Sequence, residues 1–202
     1  MSGNTTPESI LAFWFGDNED DSACAAEQAK LWWSKNADTD AAMGVRFGAQ
    51  IDAASEAQLD DWGEYPVSAL ARIILVDQFR RNVYRGSPEA FSIDAQAQRW
   101  CLEGLARGQD QELRPIQRVF FYLPLEHSED MALQDHCVAL FEKLLNDVPE
   151  AHRETFEGFL DYAKGHRDVI NRFRRFPHRN EILGRESTPE ELAFLEQPGS
   201  SF

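Results

Sequence analysis

The chain has 202 residues, 43% of them hydrophobic, and its 20 lysines and arginines face 35 aspartates and glutamates, for a net charge of −15. This length suits one domain with a sizeable core, so we expect a single domain over 1–202 with a tail at about 196–202. The acidic balance argues against binding nucleic acids or anionic membranes, and no apolar run reaches the roughly 18 residues of a membrane span. The N-terminus also lacks a signal pattern, which predicts a soluble, cytoplasmic protein.

The first half of the chain predicts four helices. Residues 5–8 (TTPE) indicate a helix start, with Thr5 as the cap and Glu8 completing a capping box, and Gly16 ends this helix. A second helix is expected over 25–34. Asp38 is expected to cap a third helix with an apolar stripe over 43–51, and Pro66 begins an apolar fourth helix that runs to about residue 80.

The second half predicts five more helices. One begins at 87–89 and stops at Gly108, and another covers 115–122 until Pro124 interrupts it. Ser128 is expected to cap a long amphipathic helix. The next runs from Pro149 until Pro177 terminates it, and a capping box at 188–191 (TPEE) starts a last short helix.

No segment shows the period-two alternation of strands, and the connections are short. These features predict an all-α protein, an antiparallel array of about eight or nine helices with no sheet. The three cysteines, Cys24, Cys101 and Cys137, are widely spaced and odd in number, which predicts buried free thiols rather than disulfides or a zinc site.

Three charged segments are candidates for a functional site. Residues 172–180 (RFRRFPHRN) and 183–185 (LGR) are strongly basic in an acidic chain, residues 77–82 read DQFRRN, and residues 122–130 read YLPLEHSED. The arginines of the first segment form either an anion receptor or a structural network that holds helices together, and the two interpretations are compatible. For Asp77, Arg80 and Arg81 we favour a buried or groove-facing network over a solvated pair.

The segment 122–130 has a simple structural interpretation, because carboxylates are favoured at a helix start. That interpretation leaves His127 unexplained, and a histidine–carboxylate pair poised for proton transfer is the alternative that we favour over a metal site. The spacings typical of helical metal ligands are missing, so no metal and no cofactor are expected.

The three segments, together with residues 13–16 (FWFG), 187–191 (STPEE) and the terminal Ser201 and Phe202, closely resemble the domain-of-unknown-function 924 family. Arg174 stands where that family's pattern has a glycine. The resemblance covers nearly the whole chain and implies an all-α, tetratricopeptide-like array with right-handed superhelical packing. It implies no established activity, catalytic residue or cofactor.

We therefore expect the three segments to meet at one groove that binds a small anionic ligand, a phosphate or carboxylate compound, with hydrolase or transferase chemistry as an option. The candidate catalytic residues are His127, Glu126, Glu129 and His178. The candidate ligand-binding residues are Asp77, Arg80, Arg81, Asn82, Tyr84, Arg85, Arg175, Arg179, Asn180 and Arg185, with Tyr84 or Trp14 as an aromatic wall.

The alternative is a tetratricopeptide-like interaction module that captures a peptide carboxylate in the same basic groove. The chain's own Ser201 and Phe202 are candidates to occupy such a groove. The sequence leaves a homodimer open.

Overall fold

The computed structural model describes residues 5–200, and all regular structure in that part of the chain is helical. The α-helical segments are α1 (Pro7–Phe15), α2 (Asp21–Trp33), α3 (Ala37–Ser55), α4 (Pro66–Ile74), α5 (Arg80–Val83), α6 (Asp94–Ala106), α7 (Pro115–Glu126), α8 (Met131–Asp147), α9 (Arg153–Phe173) and α10 (Pro189–Leu195). A π-helical segment, Leu75–Phe79, joins α4 and α5 into one continuous helix. With α4 and α5 counted as one helix, residues 5–200 form nine helices, which confirms the predicted all-α class. The tetratricopeptide-like superhelix stays a prediction.

Several helix starts differ from their predicted positions; α2 begins at Asp21, α6 at Asp94 and α9 at Arg153, instead of at 25, 87–89 and 149. The cap of α1 is Thr6, which forms a capping box with Ser9, rather than Thr5 with Glu8. Asn36 caps α3 in place of Asp38, because its side chain accepts a hydrogen bond from the Thr39 backbone. The stop of α1 at Gly16 and the capping box of α10 are confirmed.

The predicted break at Pro124 is wrong, and this difference decides where the candidate site lies. Helix α7 continues through Pro124 to Glu126, and its residues from 118 to 126 are all buried. An interior proline removes one backbone hydrogen bond, but α7 packs against α4, α6 and α8, and that packing holds the helix together. Asp130, not Ser128, caps α8 by accepting from the backbone of Ala132 and Leu133.

Helix α9 also ends earlier than expected. Its last residue is Phe173, and Arg174 rather than Pro177 reverses the chain, in the left-handed conformation with φ 62. Glycine adopts this conformation at no steric cost, which explains the glycine that the family pattern has at this position.

The main core surrounds the continuous helix from α4 to α5 and the central helix α7. Aromatic rings fill it, with Trp14 in contact with Phe79, Phe120 and Trp32. The three cysteines lie in this core as free thiols, as predicted. A smaller apolar cluster around Ile170 and Phe176 lies beside the end of α9. Within residues 5–200, no helix combines the length and the apolar character needed to cross a membrane.

Candidate functional site

The π-helical segment Leu75–Phe79 carries Asp77 into the protein interior. A π-turn is rare and is found often at functional sites, since the additional residue changes the direction of the side chains that follow. Asp77 is only 1% exposed, and its carboxylate accepts hydrogen bonds from His127 Nδ1 at 2.8 Å and Gln78 Nε2 at 2.7 Å. Arg81 Nη2 lies 3.5 Å away, one turn further along the helix. The buried charge of Asp77 is therefore compensated.

His127 is the residue at the C-terminal cap of α7, which places its ring against Asp77. Burial opposes ionisation of the Asp77 carboxyl, but His127 and Arg81 outweigh it, and the pKa of Asp77 lies well below its usual range. Burial and the Arg81 charge lower the pKa of His127 below 6.5. At neutral pH the imidazole is therefore uncharged, with its proton on Nδ1 and donated to Asp77.

Asp94, the first residue of α6, links two arginines from distant parts of the chain. Both of its carboxylate oxygens lie 2.9 Å from Arg81 Nη2, and Oδ2 lies 3.4 Å from Arg179 Nη1. Arg81 also contacts Asp77, so a continuous polar chain runs from His127 through Asp77, Arg81 and Asp94 to Arg179. The charged segments 77–82 and 172–180 thus meet through Asp94, which belongs to neither of them.

Arg179 has few partners for such a buried cation. The residue is 5% exposed, and its guanidinium carbon lies over two rings, 4.4 Å from the centre of Phe176 and 4.9 Å from the centre of Phe91. The 3.4 Å contact with Asp94 is long, and the buried Nε has no hydrogen-bond partner within residues 5–200. Burial and the Arg81 charge lower the pKa of Arg179 to about 10, so the side chain stays protonated at neutral pH.

His127, Asp94 and Arg179 line an open cleft with a volume of about 420 Å³. The other wall residues are Pro88, Phe91, Ser92, Ala95, Gln98, Ser128, Glu129, Asp130 and Leu183. The His127 side chain is 16% exposed, and its second ring nitrogen, Nε2, makes no hydrogen bond within the described part of the chain. The cleft therefore brings together one imidazole and one poorly paired guanidinium.

Glu129 forms a salt bridge at the edge of the cleft. Its carboxylate accepts from Arg185 at 2.7 and 2.9 Å and from the Phe176 backbone N–H at 2.8 Å. Burial opposes ionisation, yet these contacts lower the pKa of Glu129 below its usual value. Arg185 also donates to the Phe176 carbonyl at 3.0 Å. This pair fixes the segment that carries Arg179.

Glu126 and His166 lie behind the dyad of Asp77 and His127. Glu126 Oε1 is 3.1 Å from His166 Nδ1, which is also 2.9 Å from the Tyr162 carbonyl. Burial and the nearby Asp77 charge raise the pKa of Glu126 to about 8, while burial above all lowers the pKa of His166 to about 3. Both groups are uncharged at pH 7. Neither lines the cleft.

Several predicted site residues lie elsewhere. Arg80 donates to Ser55, Ser92 and the Glu89 carbonyl, and Arg85 pairs with Asp40 of α3. The Tyr84 hydroxyl lies 3.5 Å from Asp52, and neither Tyr84 nor the buried Asn82 lines the cleft. Arg80, Tyr84 and Arg85 thus contact α3.

Arg175 and Asn180 bind α10 rather than the cleft. Arg175 pairs with Glu191 at 2.6 and 2.8 Å, and Asn180 donates to Glu191 and to Ser187. His178 lies in the adjoining turn Pro177–Arg179, where burial and the Arg179 charge lower its pKa to about 3. None of the three is a wall residue.

The aromatic wall is Phe91, because Trp14 is fully buried in the core. Neither Phe91 nor Asp94 was among the site residues predicted from the sequence. Asp94 looks like an ordinary acidic residue in the first turn of a helix, and nothing in its sequence context indicates two arginine partners. Across residues 5–200, no group of three or more histidine, cysteine, aspartate or glutamate side chains is arranged to hold a metal ion.

Comparisons with known proteins agree with the resemblance in the sequence. The bacterial protein family of unknown function DUF924 matches residues 10–199. A solved structure, that of the protein of unknown function ATU0120 from Agrobacterium tumefaciens, is similar with a TM-score of 0.79 and 37% identity, over 94% of this chain and 96% of that one. The search of curated proteins found no match. On these findings, the chain belongs to the DUF924 family.

Proposed function

We propose that the cleft binds a small molecule carrying a phosphate or carboxylate group, and that His127 transfers a proton in hydrolysis or group transfer on that molecule. The proposal rests on the environment of Arg179. This buried cation makes one long hydrogen bond, and it lies in the wall of an open cleft that also contains a neutral histidine. The proposal treats Arg179 as the anchor and His127 as the reacting base.

The anchoring role follows from the chemistry of the guanidinium group. Its five N–H donors lie in one plane and match two oxygens of a carboxylate or phosphate. Contacts with the rings of Phe91 and Phe176 already restrict this side chain, so little side-chain freedom is lost when an anion binds. An incoming oxyanion would satisfy donors that the described residues leave unpaired.

The proposed chemistry uses the free nitrogen of His127. A water or hydroxyl group between Nε2 and the bound molecule loses its proton to Nε2 as its oxygen bonds to the phosphorus or carbonyl carbon. The bond to the leaving group then breaks, and Nε2 returns the proton to the leaving atom. Asp77 is a positioning residue here, since its hydrogen bond to Nδ1 fixes the tautomer and stabilises the transient imidazolium.

Cleft size favours a small molecule over a peptide. A volume of about 420 Å³ lies within the range of about 300–1,000 Å³ that is common for metabolite sites. The predicted occupation of the groove by Ser201 and Phe202 lies outside the described residues. A peptide carboxylate bound by Arg179 remains the alternative interpretation, and the experiment below separates the two.

The test is a thermal-shift screen with a panel of phosphorylated metabolites, carboxylated metabolites and short peptides with free carboxylates. We expect small anionic compounds to raise the Tm of the wild type. Arg179→Gln should lose the effect, and Arg167→Gln should keep it, because Arg167 pairs with Asp135 on an exposed surface of α9. Peptides as the only stabilising compounds, or an unchanged response in Arg179→Gln, would contradict the proposal.

A compound found in the screen then tests the chemistry. His127→Gln should bind it with similar affinity and lose turnover, whereas Asp77→Asn should retain partial turnover with an altered pH profile. Turnover unchanged in His127→Gln would exclude this residue as the proton carrier.

A further inference from the structure

A second cleft lies on a different part of the molecule, between the turn Asp60–Glu64 and helices α4 and α6. Its volume is about 310 Å³, and its wall residues are Asp60, Gly63, Arg72, Arg99, Trp100, Glu103 and Arg107. No residue is shared with the wall of the first cleft. Three of the seven are arginines, which is unusual in a chain with a net charge of −15.

Arg72 is the most informative of these arginines. It is 3% exposed, and its guanidinium stacks on Trp100 at 4.5 Å from the ring centre. Nη1 donates to the Asp60 carbonyl at 3.1 Å, whereas the nearest carboxylate oxygen, of Glu103, is 3.9 Å from Nη2. The buried Nε has no hydrogen-bond partner in the described chain. A buried cation is thus left without a close anion, and burial lowers its pKa.

The other two arginines leave donors available as well. Arg107 donates through Nη1 to the Gly63 carbonyl at 3.0 Å and forms no salt bridge within residues 5–200. Arg99 is 58% exposed, and its Nε is 3.8 Å from Glu103, beyond hydrogen-bond distance. Glu103 therefore lies near two guanidinium groups without binding either closely.

Gly63 belongs to the same arrangement. A Cβ atom at this position would overlap three guanidinium atoms of Arg72, namely Nη1, Nη2 and Cζ. The absence of a side chain at residue 63 lets the guanidinium of Arg72 lie against the backbone in its present position.

We propose that the second cleft is an oxyanion site that takes a phosphate group, either inorganic phosphate or the phosphate monoester of a small soluble molecule, through Arg72, Arg99 and Arg107. A tetrahedral dianion would accept from the unpaired donors of several arginines at once. Glu103 competes with the anion for the same cations and sets a moderate affinity. This site is independent of the cleft lined by His127.

The test is calorimetric titration of the whole protein with inorganic phosphate at constant ionic strength, repeated with glycerol 3-phosphate. We expect both to bind, and the tighter of the two shows whether free phosphate or a monoester is preferred. Arg99→Gln and Arg107→Gln should each weaken binding by about tenfold, the equivalent of one charge-assisted hydrogen bond. Arg153→Gln, which removes an exposed arginine paired with Glu157, is the matched control and should not change the affinity.

Glu103→Gln provides a readout that loss of structure cannot imitate, since it should tighten phosphate binding several-fold. Arg179→Gln should leave phosphate binding at this site unchanged. The inference is overturned if the wild type binds neither compound, if affinity is unchanged in both Arg99→Gln and Arg107→Gln, or if only Arg179→Gln abolishes binding. The last result would place the phosphate in the first cleft and would support the proposed function instead.

Discussion

Replacing Glu126 with glutamine should stabilise the protein at alkaline pH. Glu126 is 4% exposed and lies beside Asp77, and burial together with that charge raises its pKa from 4.5 to about 8. A carboxyl whose pKa is raised by folding keeps its proton in the folded state while the unfolded chain has already ionised. Its contribution to stability is therefore complete below pH 4.5 and is lost progressively until the pH passes about 8.

The size of the effect follows from the shift. A rise from 4.5 to about 8 corresponds, at about 1.4 kcal/mol for each pKa unit, to a loss of roughly 5 kcal/mol above pH 8. Glutamine has nearly the same shape and cannot ionise. We expect the variant and the wild type to have similar free energies of unfolding at pH 5, and the variant to be several kcal/mol more stable at pH 9.

Urea unfolding followed by circular dichroism at pH 5, 7 and 9 measures this difference. Glu129→Gln is the control, because the contacts of Glu129 with Arg185 and the Phe176 backbone lower its pKa in spite of burial. Its ionised form stabilises the fold above its unfolded pKa, so this variant should be destabilised from pH 5 to 9. If the difference in free energy of unfolding between Glu126→Gln and the wild type does not grow with pH, a raised pKa of Glu126 is refuted.

Three further substitutions test the backbone and the packing by thermal and urea unfolding. Arg174→Gly should raise the free energy of unfolding by about 1 kcal/mol, because residue 174 has the left-handed φ of 62 that glycine adopts without strain. An unchanged or lower free energy of unfolding would show that the arginine backbone is not strained at this position. Gly158→Ala, where an added methyl group meets nothing within 4 Å, should gain about 0.5–1 kcal/mol from helix propensity, and a loss would contradict an open surface there. Gly104→Ala should lose about 1–3 kcal/mol, because its Cβ would overlap the Phe121 ring; a neutral result would show that the ring moves freely.

Hydrophobic periodicity was sufficient to predict the all-helical fold. The stripe of Met43, Phe47 and Ile51 is buried as expected, and Pro66 and Pro189 begin their helices. The errors occur where tertiary packing overrides a local signal. Pro124 has the sequence character of a helix breaker, yet the buried faces of α7 keep the helix intact through it. Because α7 continues to Glu126, His127 lies at its end and contacts Asp77.

Prediction of the site was partial for a similar reason. Five of the candidate residues lie together, namely Asp77, Arg81, His127, Glu129 and Arg179, and Arg185 supports them. Arg80 and Arg81 are adjacent in sequence but point to different neighbours, since successive residues of a helix differ by about 100° in direction. The sequence does not reveal which of two adjacent arginines faces a cleft. The contact of Asp94 with both Arg81 and Arg179 depends on tertiary structure alone.

The most direct measurement of the proposed chemistry is the protonation state of His127 by histidine-selective ¹⁵N NMR, assigned with His127→Gln. At pH 7 the ring should be neutral, with its proton on Nδ1 and a free Nε2, and its pKa should lie below 6.5. A compound from the thermal-shift screen should move the Nε2 resonance in the wild type but not in Arg179→Gln. A doubly protonated ring at pH 7, a proton on Nε2, or no response to the compound would contradict the role of His127 as a base beside an anchored anion.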